Sequence, residues 1–581
     1  MRVSLHPVRS HDSFGLGARL DHLAEGRRPW LLLLLLSLAL YLPGLASLPP
    51  VDRDEARYIQ ATRQMLETGD FLRIRYQDEA RNKKPAGVYW LQAASVGALS
   101  KAGATEVWPY RLVSLLGATG AVLLAFLFGQ QVFDRRTALL GAGLLAGCLD
   151  LVFEAHVATT DAVLLATAVA AQGTLASAYL TPRRGDRFGP GLAALFWIAQ
   201  ALAILIKGPV VPAISLLTVL ALVVADRRGA WLKALRPLWG VPLMLALVLP
   251  WLISIEIATQ GQFLNEAVGH DLLGKVAGGQ EAHGAPPGYY LALLPATFWP
   301  GTLFLGFGAV WAWRNRRLPA ARFLLAWAIP FWIVLEAVPT KLPHYVVPLY
   351  PALALLAAKG LIAAAEEGMA LPYHRIGWLR AVLRALVVWL PATLWVLVGG
   401  ALAAGLVALP LVLGHRASVG AGIAAAAVLA AAWHFLWRER ARASLANAGV
   451  ALVTGLLVMA PAFALVLPHV SAIWLSRSAA VLVATERLPD EAIAASGYTE
   501  PSLVFLLGTG TKLLAPTEAA TALLDGTVKL ALVADRQEPD FAAALRTAGR
   551  MGRPFGAVRG FDYSNGRWIT LRLYRLAPSA P

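Results

Sequence analysis

The sequence predicts a polytopic α-helical membrane protein with about thirteen transmembrane helices and a C-terminal α/β domain outside the membrane. Of its 581 residues, 57% are hydrophobic and only 15% are charged, and the mean hydropathy is +0.59. A soluble domain of this composition would expose large apolar patches and aggregate. Long apolar runs also alternate with short arginine-rich loops, which is the pattern of membrane spans joined by cytoplasmic loops.

About thirteen runs reach the roughly 20 apolar residues that a helix needs to cross the hydrocarbon core. Residues 1–29 are basic and polar and are predicted to form a cytoplasmic tail. A cleaved signal peptide has its apolar stretch nearer the start, so the first run is predicted to be a retained span. The spans are expected at residues 30–48, 111–132, 137–153, 156–180, 191–206, 209–225, 238–257, 289–313, 322–338, 345–364, 382–409, 419–437 and 448–467.

Charge asymmetry orients these spans. With a cytoplasmic N-terminus, the arginine-rich loops 134–136, 183–187, 226–236, 314–317 and 438–442 all fall inside, as the positive-inside rule requires. The net charge of +16 is explained by these loops, so the expected partners include membrane lipids and exclude nucleic acid. An odd number of crossings then places the C-terminus on the outer face.

Beyond residue 470 the composition changes to short strand and helix patterns. Residues 30–470 are predicted to be the transmembrane domain, with an outer loop at 49–110, and residues 471–581 an α/β domain with a partly parallel sheet. This domain is expected to cover or prop a site and to carry no chemistry of its own. Strands are expected at 492–497, 503–507, 528–534 and 567–574, and helices at 517–524 and 538–547.

The outer loop after the first span is far more charged than its surroundings. Asp54, Arg57 and Tyr58 stand at i, i+3 and i+4, so a helix starting near Asp52 puts them on one face. Gly69 is expected to end that helix. The spacing predicts a functional site. The alternative is a solvated juxtamembrane helix whose acids and bases pair with each other.

Three motifs resemble those of the bacterial aminoarabinose transferase family. They are Asp54-Glu55-Ala56-Arg57-Tyr58 after the first span, Lys84-Pro85 with Tyr89-Trp90, and Lys341-Leu342-Pro343-His344-Tyr345 before a late span. The resemblance implies a membrane glycosyltransferase of the GT-C type, related to protein O-mannosyltransferases, in the bacterial inner membrane. It further implies a periplasmic site and periplasmic α/β domain, a polyprenyl-phosphate-linked sugar donor, and a lipid or glycan acceptor such as lipid A.

The residue types suit that chemistry. An acceptor oxygen that attacks an anomeric carbon needs a carboxylate to orient or deprotonate it, and the departing phosphate needs positive charge and hydrogen-bond donors. The resemblance places Asp161 at the family's second acidic position. The expected catalytic residues are Asp54, Asp161 and Lys84. The expected substrate-binding residues are Glu55, Arg57, Tyr58, Lys207, His270, His283, Lys341, His344 and Tyr345.

Metal use is left open. Family members can bind a divalent metal through a glutamate before the Lys-Pro pair and a histidine in the loop 258–288, where His270 is only an approximate match. Lys83 occupies the glutamate position here, and a protonated lysine cannot ligate a metal. The single cysteine, Cys148, lies in an apolar run, which excludes a disulfide framework and a thiolate metal site. We therefore predict no metal ligand, and the cofactor stays unknown.

Two other functions remain compatible with the sequence. A protein O-mannosyltransferase-like enzyme would use the same class of donor and a polypeptide acceptor. A transporter or flippase for lipid-linked sugars would place broken helices and polar groups near the midplane, whereas the charged groups here gather at one face. Individual lysines have simpler explanations as well, because a lysine at a span end, such as Lys341 or Lys207, can snorkel to the interface.

Overall fold

The computed structural model describes residues 20–101, 103–274, 284–367, 377–438, 443–488 and 491–577. Long apolar runs form helices, because in lipid each backbone N–H and C=O must pair within its own segment. The helices of eight or more residues in the membrane part are α1 Arg28–Tyr41, α2 Asp54–Thr68, α3 Gly87–Leu99, α4 Trp108–Val132, α5 Arg135–Ala146, α6 Leu149–His156, α7 Asp161–Leu180, α8 Pro190–Lys207, α9 Val210–Asp226, α10 Pro237–Ala258, α11 Tyr289–Thr297, α12 Leu305–Arg314, α13 Pro319–Ala337, α14 Tyr350–Glu367, α15 Gly377–Arg384, α16 Leu390–Val412, α17 Val419–Trp433 and α18 Leu445–Pro461.

Nine helical segments in the described part of the chain are long and apolar enough to cross a membrane, and eleven if each of two bent pairs is one span. The helices α5 and α6 bend by 58° and α11 bends by 110° against Gly301–Arg314. The expected span 137–153 is thus two short helices, because Cys148 leaves the helical conformation with ψ of 123°. The shorter apolar helices α1 and α9 lie at two further expected positions.

The helices α4 and α7 pack closely against each other along much of their length. This packing holds the start of α7 in place. Gly117 on α4 permits this close packing, because a methyl group added there would lie 2.9 Å from the backbone of Val163. Small residues at such contacts are the usual means by which membrane helices approach each other. Asp161, the first residue of α7, is therefore held on a rigid element.

The C-terminal unit is a mixed sheet flanked by helices, as predicted. The remaining elements of the chain are β1 Arg75–Tyr76, β2 Glu79–Ala80, α19 Leu475–Glu486, β3 Ile493–Ser496, α20 Pro501–Leu507, β4 Lys512–Leu513, α21 Pro516–Leu524, β5 Leu530–Ala534, α22 Glu538–Thr547, β6 Gly552–Asp562 and β7 Arg567–Leu576. The strand order of the C-terminal sheet is β4-β3-β5-β7-β6, with β3 parallel to β4 and β5, and β7 antiparallel to β5 and β6. A separate two-stranded hairpin, β1 and β2, lies in the outer loop.

One predicted strand is wrong. Residues 503–507 belong to the helix α20, which begins with Pro501, a residue favoured at the first helical position. Most of this short run is buried, so its apolar residues do not alternate with polar ones. The spacing of apolar residues therefore cannot distinguish a strand from a helix here. The long strand β6 was not expected.

The helix α20 joins the C-terminal unit to α2 of the outer loop. The side-chain amide of Gln60 donates to the hydroxyl of Thr509 at 2.8 Å. The guanidinium of Arg63 donates to the carbonyl of Phe505 at 2.7 Å. The C-terminal unit therefore props the helix that carries Asp54, in agreement with its expected supporting role.

Candidate active site

The helix α2 presents Asp54 in its first turn. Arg53 directly before it has φ of 67°, so the chain turns sharply into the helix. A carboxylate at a helix N-terminus is stabilised by the helix dipole. The Asp54 side chain is 60% exposed, and its Oδ1 lies 3.8 Å from Nη1 of Arg57. This is the i, i+3 pair expected from the sequence, and it leaves an accessible carboxylate that can accept a proton.

Glu55, the next residue, has a different place. Its carboxylate is buried and forms two 2.8 Å bonds with Nε and Nη2 of Arg111 on α4. It also accepts the backbone N–H groups of Val51 and Ala158, each at 2.8 Å. Four donors saturate the two oxygens, so Glu55 braces the start of α2, and its expected role in substrate binding stays a prediction.

A second group of charges gathers around Asp161. Its Oδ1 accepts a 2.6 Å bond from Lys207 at the end of α8, and its Oδ2 accepts the Thr160 hydroxyl at 3.1 Å. His344 bridges two acids, with Nε2 at 3.9 Å from Asp161 and Nδ1 at 3.5 Å from Glu154. Residues from α6, α7, α8 and the turn Pro343–Leu349 thus meet at one point, which we call the Asp161 cluster.

Tyr345 completes the Asp161 cluster. Nζ of Lys207 lies 5.3 Å from the centre of the Tyr345 ring, within the range of a cation–π interaction. The ring also meets His344 edge-on at 5.2 Å. The predicted residues Asp161, Lys207, His344 and Tyr345 are therefore brought together, although they are far apart in the sequence.

Tyr58 lies four residues beyond Asp54 on α2 and is buried. Burial raises the pKa of Tyr58 well above its ordinary value. The hydroxyl therefore stays protonated and can donate a hydrogen bond. The guanidinium of Arg81 lies 5.3 Å from the Tyr58 ring, and its Nε donates to the hydroxyl of Tyr89 at 3.2 Å.

Two guanidiniums lie along the start of α2. Nη1 of Arg57 lies 3.8 Å from the carboxylate of Asp54, and the guanidinium of Arg81 lies over the ring of Tyr58. Positive charge concentrated in a partly buried site is what a phosphate leaving group requires.

The two lysines of the recognised motifs differ in their surroundings. Lys84 is half-buried just before α3. Lys341 is buried, and its Nζ donates to the carbonyls of Leu335, Glu336 and Val338 at 3.0, 2.8 and 2.5 Å. An ammonium has three donors, and all three cap the C-terminus of α13. In this structure Lys341 anchors a helix end, and its expected role in substrate binding stays a prediction.

The side chains of the two predicted loop histidines are not among the parts of the chain that the structure describes. His283 lies outside the described residues, and for His270 the description covers only the backbone, within Asn265–Leu273. Lys83, at the position of the family's glutamate, is exposed. Among the described residues, no three His, Cys, Asp or Glu side chains are grouped so that they could hold a metal ion. The ammonium of Lys83 cannot ligate a metal while it is protonated, and metal use by this chain stays open.

Three site residues were not predicted: Arg81, Arg111 and Glu154. Glu154 is an ionisable residue within an apolar run on the outer side, and such residues usually mark a site, so a signal was available. Arg111, at the start of α4, resembles an ordinary span-end arginine. Arg81 carries no pattern of its own, because its partners Tyr58 and Tyr89 lie on two other helices.

The chain is similar to several known proteins. A family model described as dolichyl-phosphate-mannose-protein mannosyltransferase matches residues 29–261. Undecaprenyl phosphate-alpha-4-amino-4-deoxy-L-arabinose arabinosyl transferase 1 of Pseudomonas fluorescens is 28% identical over 353 residues, which are 59% of this chain and 61% of that protein. The corresponding enzyme of Aeromonas salmonicida is 26% identical over 358 residues, 59% and 62% of the two chains.

The solved structure of ArnT from Cupriavidus metallidurans bound to undecaprenyl phosphate superposes with a TM-score of 0.69 at 19% identity. The match covers 94% of this chain and 98% of that one. The chain is thus similar to the bacterial aminoarabinose transferases in sequence and in fold. The resemblance read from the Asp54 and Lys341 motifs is thus confirmed, and the fold is that of ArnT, of the GT-C type. The chain matches about three fifths of the length of the curated relatives, 61% for the first.

Proposed function

We propose that this aminoarabinose transferase relative is a glycosyltransferase that moves a sugar from a polyprenyl-phosphate carrier to lipid A or another envelope acceptor. One observation carries the proposal: the buried Asp161 accepts a 2.6 Å hydrogen bond from Lys207 and lies 3.9 Å from His344, so a carboxylate, an ammonium and an imidazole from distant segments meet at one point. The names of the relatives and the undecaprenyl phosphate bound to ArnT support the same donor class.

In the proposed reaction an acceptor oxygen attacks the anomeric carbon of the sugar. The bond between that carbon and the carrier phosphate oxygen breaks, and the polyprenyl phosphate leaves with the electron pair. Asp54 orients the acceptor and takes its proton. Arg57, Arg81 and Lys84 stabilise the negative charge on the departing phosphate. A phosphate is already a good leaving group, so no general acid is required.

The Asp161 cluster positions further groups for this step. The ammonium of Lys207 donates a hydrogen bond to Asp161 at 2.6 Å, so the negative charge of Asp161 is largely balanced within the protein. We assign Asp161 to holding Lys207 and His344 where they can contact the sugar or its phosphate. Tyr345 then provides an aromatic wall beside Lys207.

We also propose the topology of the chain. Adding the two bent pairs and the two shorter apolar helices to the nine long segments gives thirteen crossings. The N-terminus is cytoplasmic, residues 30–470 form the transmembrane domain of an inner-membrane protein, and residues 471–581 form a periplasmic domain. Reporter fusions after Pro468 should be active in the periplasm. A cytoplasmic result would place the acidic groups on the wrong face and overturn the site.

The test of the function is transfer by the purified protein in nanodiscs. The protein is given an undecaprenyl-phosphate-linked aminoarabinose donor and lipid A, and mass spectrometry detects the modified lipid. Lipid A from a deletion strain and its parent is compared in parallel. Absence of transfer with this donor and of any envelope glycan difference between the strains would refute the proposal.

A polypeptide acceptor is the second candidate, because the family model that matches residues 29–261 describes protein mannosyltransferases. The same assay distinguishes the two when lipid A is replaced by a serine- and threonine-rich peptide. Transfer to the peptide and not to lipid A would select the second candidate.

A further inference from the structure

Near its turn, the β6–β7 hairpin of the C-terminal unit has one side packed and one side open. On the packed side Gly556 and Gly560 approach α19 and its preceding turn closely: an added methyl group would lie 2.6 Å from Leu482 or 2.8 Å from the carbonyl oxygen of Ala472. Successive side chains of a strand point to opposite faces. The residues that alternate with these glycines, Arg559 and Phe561, therefore point away from α19.

Arg559, Phe561 and Trp568 form what we call the arginine–aromatic strip. Phe561 is paired with Trp568 across the hairpin, and their ring centres are 5.8 Å apart. The guanidinium of Arg559 lies 5.2 Å from the Trp568 ring centre. Trp568 is 43% exposed. An exposed indole ring with a guanidinium over it is typical of a binding surface and not of a hydrophobic core.

The strip leads to the candidate active site. Beyond Phe561 the hairpin turns at Tyr563, whose hydroxyl accepts the backbone N–H of Asp52 at 2.7 Å. The guanidinium of Arg53 donates to the carbonyl of Ser564 at 2.6 Å. Asp52 and Arg53 directly precede Asp54, so a molecule lying along the strip reaches the proposed catalytic carboxylate at its end.

The strip carries the positive charge of Arg559, and the acids Asp535 and Asp562 form their hydrogen bonds with other groups. Asp535 accepts the backbone N–H groups of Arg536 and Thr570 at 2.9 and 3.3 Å. The buried Asp562 accepts from the side chain of Asn565 at 2.8 Å. Arg559 therefore offers a guanidinium to an outside anion, and arginine binds phosphate in a two-pronged geometry.

We propose that the arginine–aromatic strip docks the phosphate-bearing saccharide of the acceptor. The apolar face of a sugar ring stacks on Trp568 and Phe561, and a sugar phosphate binds Arg559. This docking would hold the acceptor oxygen toward Asp54 at the end of the hairpin. The inference rests on the proposed function and extends it, since it assigns the C-terminal domain a part in choosing the acceptor.

The first test separates acceptor binding from catalysis in the full-length protein. Arg559→Gln and Trp568→Ala should each raise the KM for lipid A about tenfold, while the KM for the donor and the rate at saturating lipid A stay unchanged. Arg546→Gln, which removes an exposed arginine on α22, is the matched control and should have no effect. A fall in the saturated rate, or an unchanged lipid A KM, would overturn the inference.

The second test needs no catalysis and so distinguishes failure of the strip from failure of the proposed function. Native mass spectrometry of the detergent-solubilised chain measures binding of bisphosphorylated lipid A, dephosphorylated lipid A and phosphatidylglycerol. Arg559→Gln should weaken only the binding of phosphorylated lipid A, and Trp568→Ala should weaken both lipid A forms. An equal loss of phosphatidylglycerol binding would show a general anionic membrane surface and would refute the assignment. If wild-type protein binds lipid A through the strip but transfers nothing, the proposed function fails alone.

Discussion

The buried ion pair between Glu55 and Arg111 should hold α2, the helix that begins with Asp54, in its position against α4. The two charges are 0% and 1% exposed. Besides the two bonds to Glu55, the Arg111 guanidinium donates to the carbonyls of Leu45, Leu48 and Pro49 at 3.2, 2.6 and 2.8 Å. One residue thus ties α4 both to the start of α2 and to the end of the first span.

Removing one partner of such a pair leaves an uncompensated buried charge and typically costs about 3 to 5 kcal/mol. We therefore expect Arg111→Leu to make local opening of α2 roughly 200- to 5,000-fold more frequent. Glu55→Leu should have an effect of similar size. The double substitution should cost less than the two single effects together, because no buried charge is left and only backbone groups lose their partners.

The assay uses a cysteine placed at Ala61, which is 1% exposed on α2. Its labelling rate by a thiol reagent reports the fraction of time that α2 is open. The natural Cys148 is buried, and protein without the added cysteine gives its background. Arg28→Leu is the control, since its pair with Glu25 is exposed at 3.8 Å and contributes little. A labelling increase below about tenfold for Arg111→Leu, or strict additivity of the two substitutions, would refute the bracing role.

Three more predictions concern the site and its support. Asp54→Asn should reduce transfer by roughly 10² to 10⁴-fold with folding and donor binding unchanged, and a variant within a few-fold of wild type would remove its proposed role as base. Burial raises the pKa of Asp52 to about 7, so the docked hairpin binds that proton more tightly than the open one. Docking is therefore most stable below about pH 4 and weakens as the pH rises through about 7. Hydrogen exchange of the Asp52 amide, corrected for intrinsic rate, should show this loss of protection, and Asp52→Asn should abolish the pH dependence. Lys341→Met should lower thermal stability without changing donor affinity, whereas Lys84→Met should weaken donor binding; the opposite pattern would restore a phosphate-binding role to Lys341.

The sequence by itself determined the helical framework and the start of the site. Apolar runs of sufficient length have one solution in lipid, because the backbone must satisfy its own hydrogen bonds. The helix predicted near Asp52 begins at Asp54, and the spacing to Arg57 gives the expected pair. The motifs around Asp161 and His344 also pointed to residues that meet in space, although the sequence contained nothing that fixed their distances.

Only the tertiary structure decided how individual side chains are used. Asp54 and Glu55 are neighbours of the same type, but consecutive helical residues point in different directions, and the packing of α4 makes one a buried brace and leaves the other exposed. Lys341 satisfies a helix end because two carbonyls of α13 and that of Val338, directly after it, lie within its reach, which a motif cannot show. Arg81 acts through two aromatic rings on other helices. These roles depend on which surfaces meet, and that is settled by packing between segments far apart in the chain.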